Sequence, residues 1–207
     1  RHGAPGGKRL EKKKPTKEDM QKVNAANKER KARQRLLEYF NPGDVWATWT
    51  YLVEERPASM AAAVDDFGRA MRIVRREYKK RNRELFWIRN IEKGTKGAGH
   101  IHIHIIVNEI GDTASIIQQA WKKGGTWFTE IRKSKFYDED FSNLSNYITK
   151  DENTREKKKD GSLAKPRIAE SSYNTSRNMP LPKPRIQKLV RWQKEPKPIK
   201  GYYIARI

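Results

Sequence analysis

Residues 99–108 read GHIHIHIIVN, and this stretch decides how the rest of the chain is interpreted. Three of the four histidines in the sequence, His100, His102 and His104, alternate here with isoleucines. Because the side chains of a strand point to its two faces in turn, the alternation predicts a strand with histidines on one face and isoleucines on the other. The isoleucine face is expected to pack under helices, which leaves the histidines on the open face of a central strand.

The segments around this strand predict the rest of one sheet. Residues 85–92 (LFWIRNIE) predict a strand that reaches residues 99–107 through a glycine-bearing turn. Apolar spacing and β-branched runs predict further strands at 45–53 and 126–132 and helices at 59–80, 112–123 and 139–150. This order is typical of an α+β fold, a ferredoxin-like or RRM-like antiparallel sheet with helices on one face.

Both ends of the chain differ in character from this core. Residues 1–43 are expected to form a basic arm that is partly helical, with Thr16 as N-cap and with only its end, near Phe40, anchored. Residues 44–150 form the predicted core. Residues 151–207 form a basic, Pro-rich extension, and its terminal GYYIARI is expected to return to the core as an edge strand.

The charge of the chain indicates its partner. Lys and Arg number 46 against 25 Asp and Glu, a formal net charge of +21, which favours a polyanion such as nucleic acid. The absence of cysteine excludes a cysteine zinc site and a disulfide framework. No apolar run approaches the roughly 18 to 20 residues of a membrane span. We therefore expect a soluble, cytoplasmic protein that does not enter a membrane.

The histidines favour a metal site over a half-buried strand whose polar positions happen to be histidine. The predicted hairpin brings Glu92 roughly opposite His100, on the same face or near it. Imidazole nitrogens with a carboxylate oxygen suit Mg²⁺ or Mn²⁺ better than a closed zinc site. Such a set leaves coordination positions for water or a substrate phosphate, as a catalytic metal requires.

The stretch LSNYITK, residues 144–150, carries a second candidate group. Tyr147 and Lys150 are three residues apart on the predicted helix and are therefore neighbours on its surface. A tyrosine hydroxyl beside a metal-bound phosphate can act as a nucleophile. A lysine beside it favours the phenolate or offsets charge on the phosphorane. By itself this pattern also fits a packed tyrosine and a solvated lysine.

Together these motifs resemble those of HUH endonucleases: HIHIHIIV is similar to their His-hydrophobic-His motif, NYITK to their Tyr-x-x-Lys motif and VWATWTYL to their first motif. The wider set ERP, REYKKR, IEKGTKGAGHIH, AWKKG, NYITKDE and TSRN resembles rolling-circle replication initiators of bacterial plasmids, phages and integrative elements. The resemblance covers about residues 44–178. It implies the HUH fold and a divalent-metal-dependent nickase that attacks single-stranded DNA through tyrosine.

The resemblance also implies roles for individual residues. The metal ligands would be His102, His104 and Glu92, with His100 as a further candidate, and Tyr147 would be the single nucleophile, assisted by Lys150. Tyr137 lies ten residues upstream, which is not the spacing of a tyrosine pair on a helix. The residues expected to contact DNA are Thr48, Thr50, Arg177 and Asn178.

The expected function is initiation of rolling-circle replication. Nicking single-stranded DNA or an origin hairpin would give a 5′-phosphotyrosyl intermediate and a free 3′-OH. The chain has no G-x-x-x-x-G-K-S/T motif, so unwinding would need another protein such as a host helicase. Two alternatives stay open: a conjugative relaxase or transposase with the same chemistry, and a non-catalytic single-stranded nucleic-acid-binding module.

Overall fold

The computed structural model describes residues 14–95, 100–152, 158–183, 197–198 and 200, and these form an antiparallel sheet of five strands with four α-helices. The strands are β1 (Val45–Trp49), β2 (Trp87–Gly94), β3 (Ile101–Val107), β4 (Thr126–Glu130) and β5 (Ile168–Thr175). The helices are α1 (Lys17–Tyr39), α2 (Met60–Lys80), α3 (Thr113–Ala120) and α4 (Ser142–Thr149). The strand order is β4-β1-β3-β2-β5, so the histidine strand β3 is central. The predicted α+β class is confirmed.

The alternation in β3 sorts its side chains as the sequence predicts. Ile101, Ile103 and Ile105 are buried in a core that α2 and α3 cover. The apolar stripe of α2, which includes Phe67 and Val74, packs into the same core. The histidines lie on the other face of the sheet.

The histidine face carries two helices of its own. Leu36 of α1 and Leu144 of α4 share a second buried cluster with Trp46, Ile88 and Ile106, which belong to the sheet. The sequence analysis left this face open, whereas the structure adds α1 and α4 to it. The physical reason is that the face is polar only around the histidines, because β1, β2 and β3 each also place a large apolar side chain there.

Helix α1 is anchored over more of its length than the sequence predicts. It begins with a capping box between Thr16 and Asp19, and residues 14–26 are exposed. From Lys28, which forms an ion pair with Asp151, the helix contacts the body of the protein. Ala32 is fully buried, so the anchored half starts well before Phe40. The sequence did not indicate this contact, because few apolar residues mark it among the lysines and arginines.

Strand β5 occupies the edge beside β2 and was not predicted, because IAESSYNT is too polar to show an apolar alternation. Its Tyr173 packs against the second cluster on the histidine face. The edge strand predicted at residues 201–207 lies outside the described residues. Within the described residues, no helix has both the length and the apolar character needed to cross a membrane.

Candidate active site

The register of β2 and β3 brings the predicted metal ligands together. Glu92 pairs with His102 rather than with His100, so the predicted register was wrong by two residues. The hairpin is longer than expected, because β2 continues through Gly94, whose N–H donates to the carbonyl of His100. Paired residues share a face of the sheet, and Glu92 therefore lies beside the histidines.

Three side chains form a group that could hold a metal ion. Glu92, His102 and His104 each offer one ligand atom, and these atoms lie within 4.8 Å of one another. Glu92 Oε1 is 3.0 Å from His104 Nε2. Two imidazole nitrogens and one carboxylate oxygen are a donor set that a divalent cation accepts, with coordination positions left open.

Thr48 fixes the orientation of His104. The Thr48 Oγ1 atom is 2.9 Å from His104 Nδ1, and the histidine side chain is buried. A ring held through Nδ1 presents Nε2 to the cluster, and such outer hydrogen bonds commonly set the orientation of ligating histidines. Thr48 was expected to contact DNA; the structure places its hydroxyl against His104.

The charges in the cluster favour the metal-binding forms of its members. Burial and the neighbouring His104 lower the pKa of His102, which keeps that imidazole neutral. Burial alone would raise the pKa of Glu92, but His104 and the ammonium of Lys150 outweigh it and lower the pKa to about 2. Neutral imidazole and ionised carboxylate are the forms that bind metal, since ligands must lose their protons first.

Tyr147 of α4 reaches the cluster from above the sheet. Its ring centroid is 5.6 Å from that of His104 and 5.5 Å from that of Trp46. Phe136 stacks on its outer face with 3.7 Å between ring centroids. The alternative tyrosine, Tyr137, packs instead edge-on against the ring of Phe141 at 6.0 Å. Of these two tyrosines, the structure brings Tyr147 to the histidines.

Lys150 connects Tyr147 to the metal ligands. Its Nζ is 2.7 Å from Glu92 Oε2 and 3.9 Å from the centroid of the Tyr147 ring. The lysine side chain is 16% exposed, so its charge is only weakly screened. Burial, and then the charge of Glu92, raise the pKa of Tyr147, whereas Arg167 lowers it. The phenol therefore needs positive charge nearby to ionise.

Two adjoining clefts open onto this group. One, of about 590 Å³, contains Tyr147 and Lys150, and the other, of about 680 Å³, contains His100 and His102. Both include Glu92 and Arg167. The sequence analysis missed further lining residues, namely Lys135, Phe136, Asn143, Asn146 and Arg167. None of them stands in a periodic pattern, and only the basic character of the segment before Arg167 hinted at a role.

The other predicted residues lie away from the cluster. His100 is exposed in the second cleft and is not among the three grouped ligands. The Thr50 hydroxyl is 3.4 Å from the carbonyl oxygen of Gly125. Arg177 and Asn178 follow β5 next to Trp87, at the end of β2 opposite to Glu92. Their contact with DNA stays a prediction.

Comparison with known proteins agrees with this arrangement. No curated protein and no solved structure matches the chain. The family model of the replication-associated proteins of the ORF2 and gene-2-protein type matches residues 44–152, just over half of the chain. The matched segment runs from the start of β1 to the end of α4 and includes the grouped ligands, Tyr147 and Lys150. The chain therefore belongs to this family of replication-associated proteins, which fits the resemblance to rolling-circle replication initiators of the HUH endonuclease type.

Proposed function

We propose that the protein initiates rolling-circle replication by nicking single-stranded DNA at an origin, with Tyr147 as the nucleophile. The observation that carries the proposal is the approach of the Tyr147 ring to within 5.6 Å of His104, a member of the Glu92, His102 and His104 group. Family membership supports a replication role and a nuclease-type enzyme. Neither the strand that is cut nor the covalent step follows from membership alone.

The donor atoms in the cluster suit a divalent cation. Glu92, His102 and His104 would hold Mg²⁺ or Mn²⁺, which when bound polarises the scissile phosphate. Thr48 keeps His104 turned toward that position through the 2.9 Å contact at Nδ1. Lys150 stands between Glu92 and the tyrosine ring, where its charge can stabilise a phenolate and the developing phosphorane.

The chemistry at phosphorus is a transesterification. The Tyr147 oxygen forms a bond to the phosphorus while the bond from phosphorus to the 3′-oxygen breaks. The proton that the phenol loses is balanced by the one that the departing 3′-oxygen gains. One phosphoester replaces another, so the step needs no ATP, and the free 3′-OH can prime synthesis or rejoin the strand.

Trp127 gives the single strand a place to stack beside this site. Thr48 pairs with His104 on one side and with Trp127 on the other, so all three lie on the same face of the sheet. Two strand spacings put Trp127 roughly 10 Å from the histidine strand. Its side chain is 77% exposed, which leaves the ring free for a base. Stacking of a base on an aromatic ring is tolerant of sequence and suits single-stranded DNA.

A pair of neighbouring variants tests this stacking. Trp127→Ala is expected to raise the Kd for a single-stranded oligonucleotide about 5- to 150-fold, the equivalent of 1–3 kcal/mol for one stacked base. Phe128 is the matched control, because it is also exposed but pairs with Ala47 on the opposite face. Fluorescence anisotropy measures both affinities. Equal weakening by Trp127→Ala and Phe128→Ala would contradict the assignment.

The nicking proposal is tested with labelled single-stranded oligonucleotides that carry candidate origin sequences. In the presence of Mn²⁺ we expect a cut strand and a covalent protein–DNA band, and with EDTA neither. Binding without cleavage on every substrate would favour the non-catalytic nucleic-acid-binding module. Cleavage confined to transfer-origin or transposon-end sequences would favour a relaxase or transposase, which performs the same step at phosphorus on other DNA.

A further inference from the structure

The opposite face of the sheet carries a second cleft that the nicking chemistry does not use. It has a volume of about 750 Å³ and lies between α2, the start of β2 and the end of β5. Its size falls in the usual range of about 300–1,000 Å³ for small-molecule sites. Its charged lining residues are Arg75, Arg89, Arg177 and Glu84. Three guanidinium groups against one carboxylate make it a cationic cleft.

Arg89 is the unusual member of this set. It is 4% exposed, and its guanidinium lies 4.9 Å over the ring of Phe67. One amino group donates to the carbonyl and the hydroxyl oxygen of Ser172, but Nε is buried without a hydrogen-bond partner among the described residues. Burial lowers the pKa of Arg89 to about 10, so the side chain is still cationic near neutral pH. A buried cation without a carboxylate is costly unless an anion joins it.

A second unsatisfied donor lies beside it. The indole Nε1 of Trp87 is buried and has no hydrogen-bond partner among the described residues. Trp87 and Arg89 both line the cleft, so two polar donors at its floor await an acceptor. Natural proteins satisfy most buried donors, and a neighbouring pair of exceptions at a cleft points to a ligand that carries acceptor oxygens.

Helix α2 leaves room for that ligand. Gly68 lies in the middle of α2 and lines the cleft, and a Cβ atom added there would meet nothing within 4 Å. Glycine inside a helix is destabilising by about 0.5–1 kcal/mol relative to alanine. The absence of a side chain at Gly68 keeps open the space above the arginines.

We propose that this cleft binds a phosphate group of a nucleotide, either free or within a DNA strand. The planar fork of arginine matches the oxygens of a phosphate, and the net charge of +21 attracts such ligands. Arg89 and Glu92 lie on opposite faces of β2, roughly 10 Å apart along the strand. The phosphate held here is therefore a different one from the phosphate that Tyr147 attacks.

Calorimetric titration tests the proposal in EDTA, where no metal can recruit phosphate to the other face. The probes are dAMP, deoxyadenosine as the ligand without phosphate, and a short single-stranded oligonucleotide. We expect dAMP or the oligonucleotide to bind and deoxyadenosine not to bind. If the oligonucleotide responds to the variants below and dAMP does not, the phosphate belongs to DNA; if both respond, free nucleotides also enter.

Four variants locate the binding. Arg75→Ala, Gly68→Leu and Arg89→Met are each expected to raise the Kd about tenfold or more, the weakening expected when a charge-assisted hydrogen bond or its space is lost. Arg76→Ala is the matched control, because Arg76 is the next exposed arginine of α2 but lies outside the cleft. Gly68→Leu and Arg75→Ala change partly or fully exposed positions, so they keep the test informative if Arg89→Met fails to fold.

Two results would overturn the proposal. One is the absence of binding by both dAMP and the oligonucleotide. The other is binding that Gly68→Leu and Arg75→Ala weaken no more than Arg76→Ala does. Because the assay contains no metal and measures no cleavage, its outcome is separate from that of the nicking experiment.

Discussion

Replacing Thr48 by valine separates two roles for this residue, contact with DNA and support of His104. Valine has the same shape and branching as threonine and fits a strand equally well. The substitution removes one hydroxyl, whose oxygen lies 2.9 Å from His104 Nδ1. We expect Thr48→Val to weaken metal binding while leaving metal-free DNA binding almost unchanged.

The size of the effect follows from the burial of His104. Its side chain is 8% exposed, so water cannot easily replace the lost partner of Nδ1. Loss of an outer hydrogen-bond partner typically costs 10- to 100-fold in metal affinity or activity, roughly 1.4–2.7 kcal/mol. An unsatisfied buried donor carries a penalty of about 1–3 kcal/mol, which agrees with that range.

Titration of the DNA-free protein with Mn²⁺, followed by electron paramagnetic resonance, measures the metal Kd. Anisotropy in EDTA measures DNA affinity separately. Thr50→Val is the control, because the Thr50 hydroxyl has only a 3.4 Å contact with a backbone carbonyl oxygen. An unchanged metal Kd together with weaker DNA binding would refute the reasoning and return Thr48 to the DNA-contacting role.

Three further substitutions address the chemistry. Tyr147→Phe should abolish cleavage and the covalent band but retain DNA binding, since the ring still stacks at its place; a remaining covalent band in a denaturing gel would reject Tyr147. Lys150→Ala should slow single-turnover cleavage about 10²–10³-fold, whereas Lys135→Ala, which removes an exposed charge in the same cleft, should have a smaller effect. Equal rates for the two lysine variants would show that Lys150 acts only through net charge. His100→Ala should lower Mn²⁺-dependent cleavage far less than alanine at either grouped histidine, and equal losses would indicate a three-histidine site.

The sequence predicts the central part of this fold well because its periodicity is strong there. The alternation around His102 and His104 assigns both faces of β3, and the apolar stripe of α2 assigns the main core. It predicts the second cluster poorly. Ile106 and Trp46 belong to segments already assigned to the sheet, and nothing in their spacing tells that α1 and α4 cover them.

The site shows the same division. Residue type and motif spacing selected Glu92, His102 and His104, which the structure groups. The pairing of Glu92 with His102 could not be read from the sequence, because the length of the hairpin depends on where β2 ends. Phe136 and Arg167 come from segments without periodicity, and only tertiary packing brings them to Tyr147 and its cleft.

Helix α1 and strand β5 lie outside the segment that the family model matches, yet both hold the nucleophile helix and its sheet in place. Helix α4 has eight residues, too few to be stable alone, and α1 packs along it. A fragment cut at 44–152 would also uncover β2, whose free backbone groups would invite pairing between molecules. Such a fragment should aggregate or lose the tyrosine geometry although it retains every proposed ligand. Useful truncations for crystallisation or for genome-engineering tools must therefore keep the chain from α1 through β5.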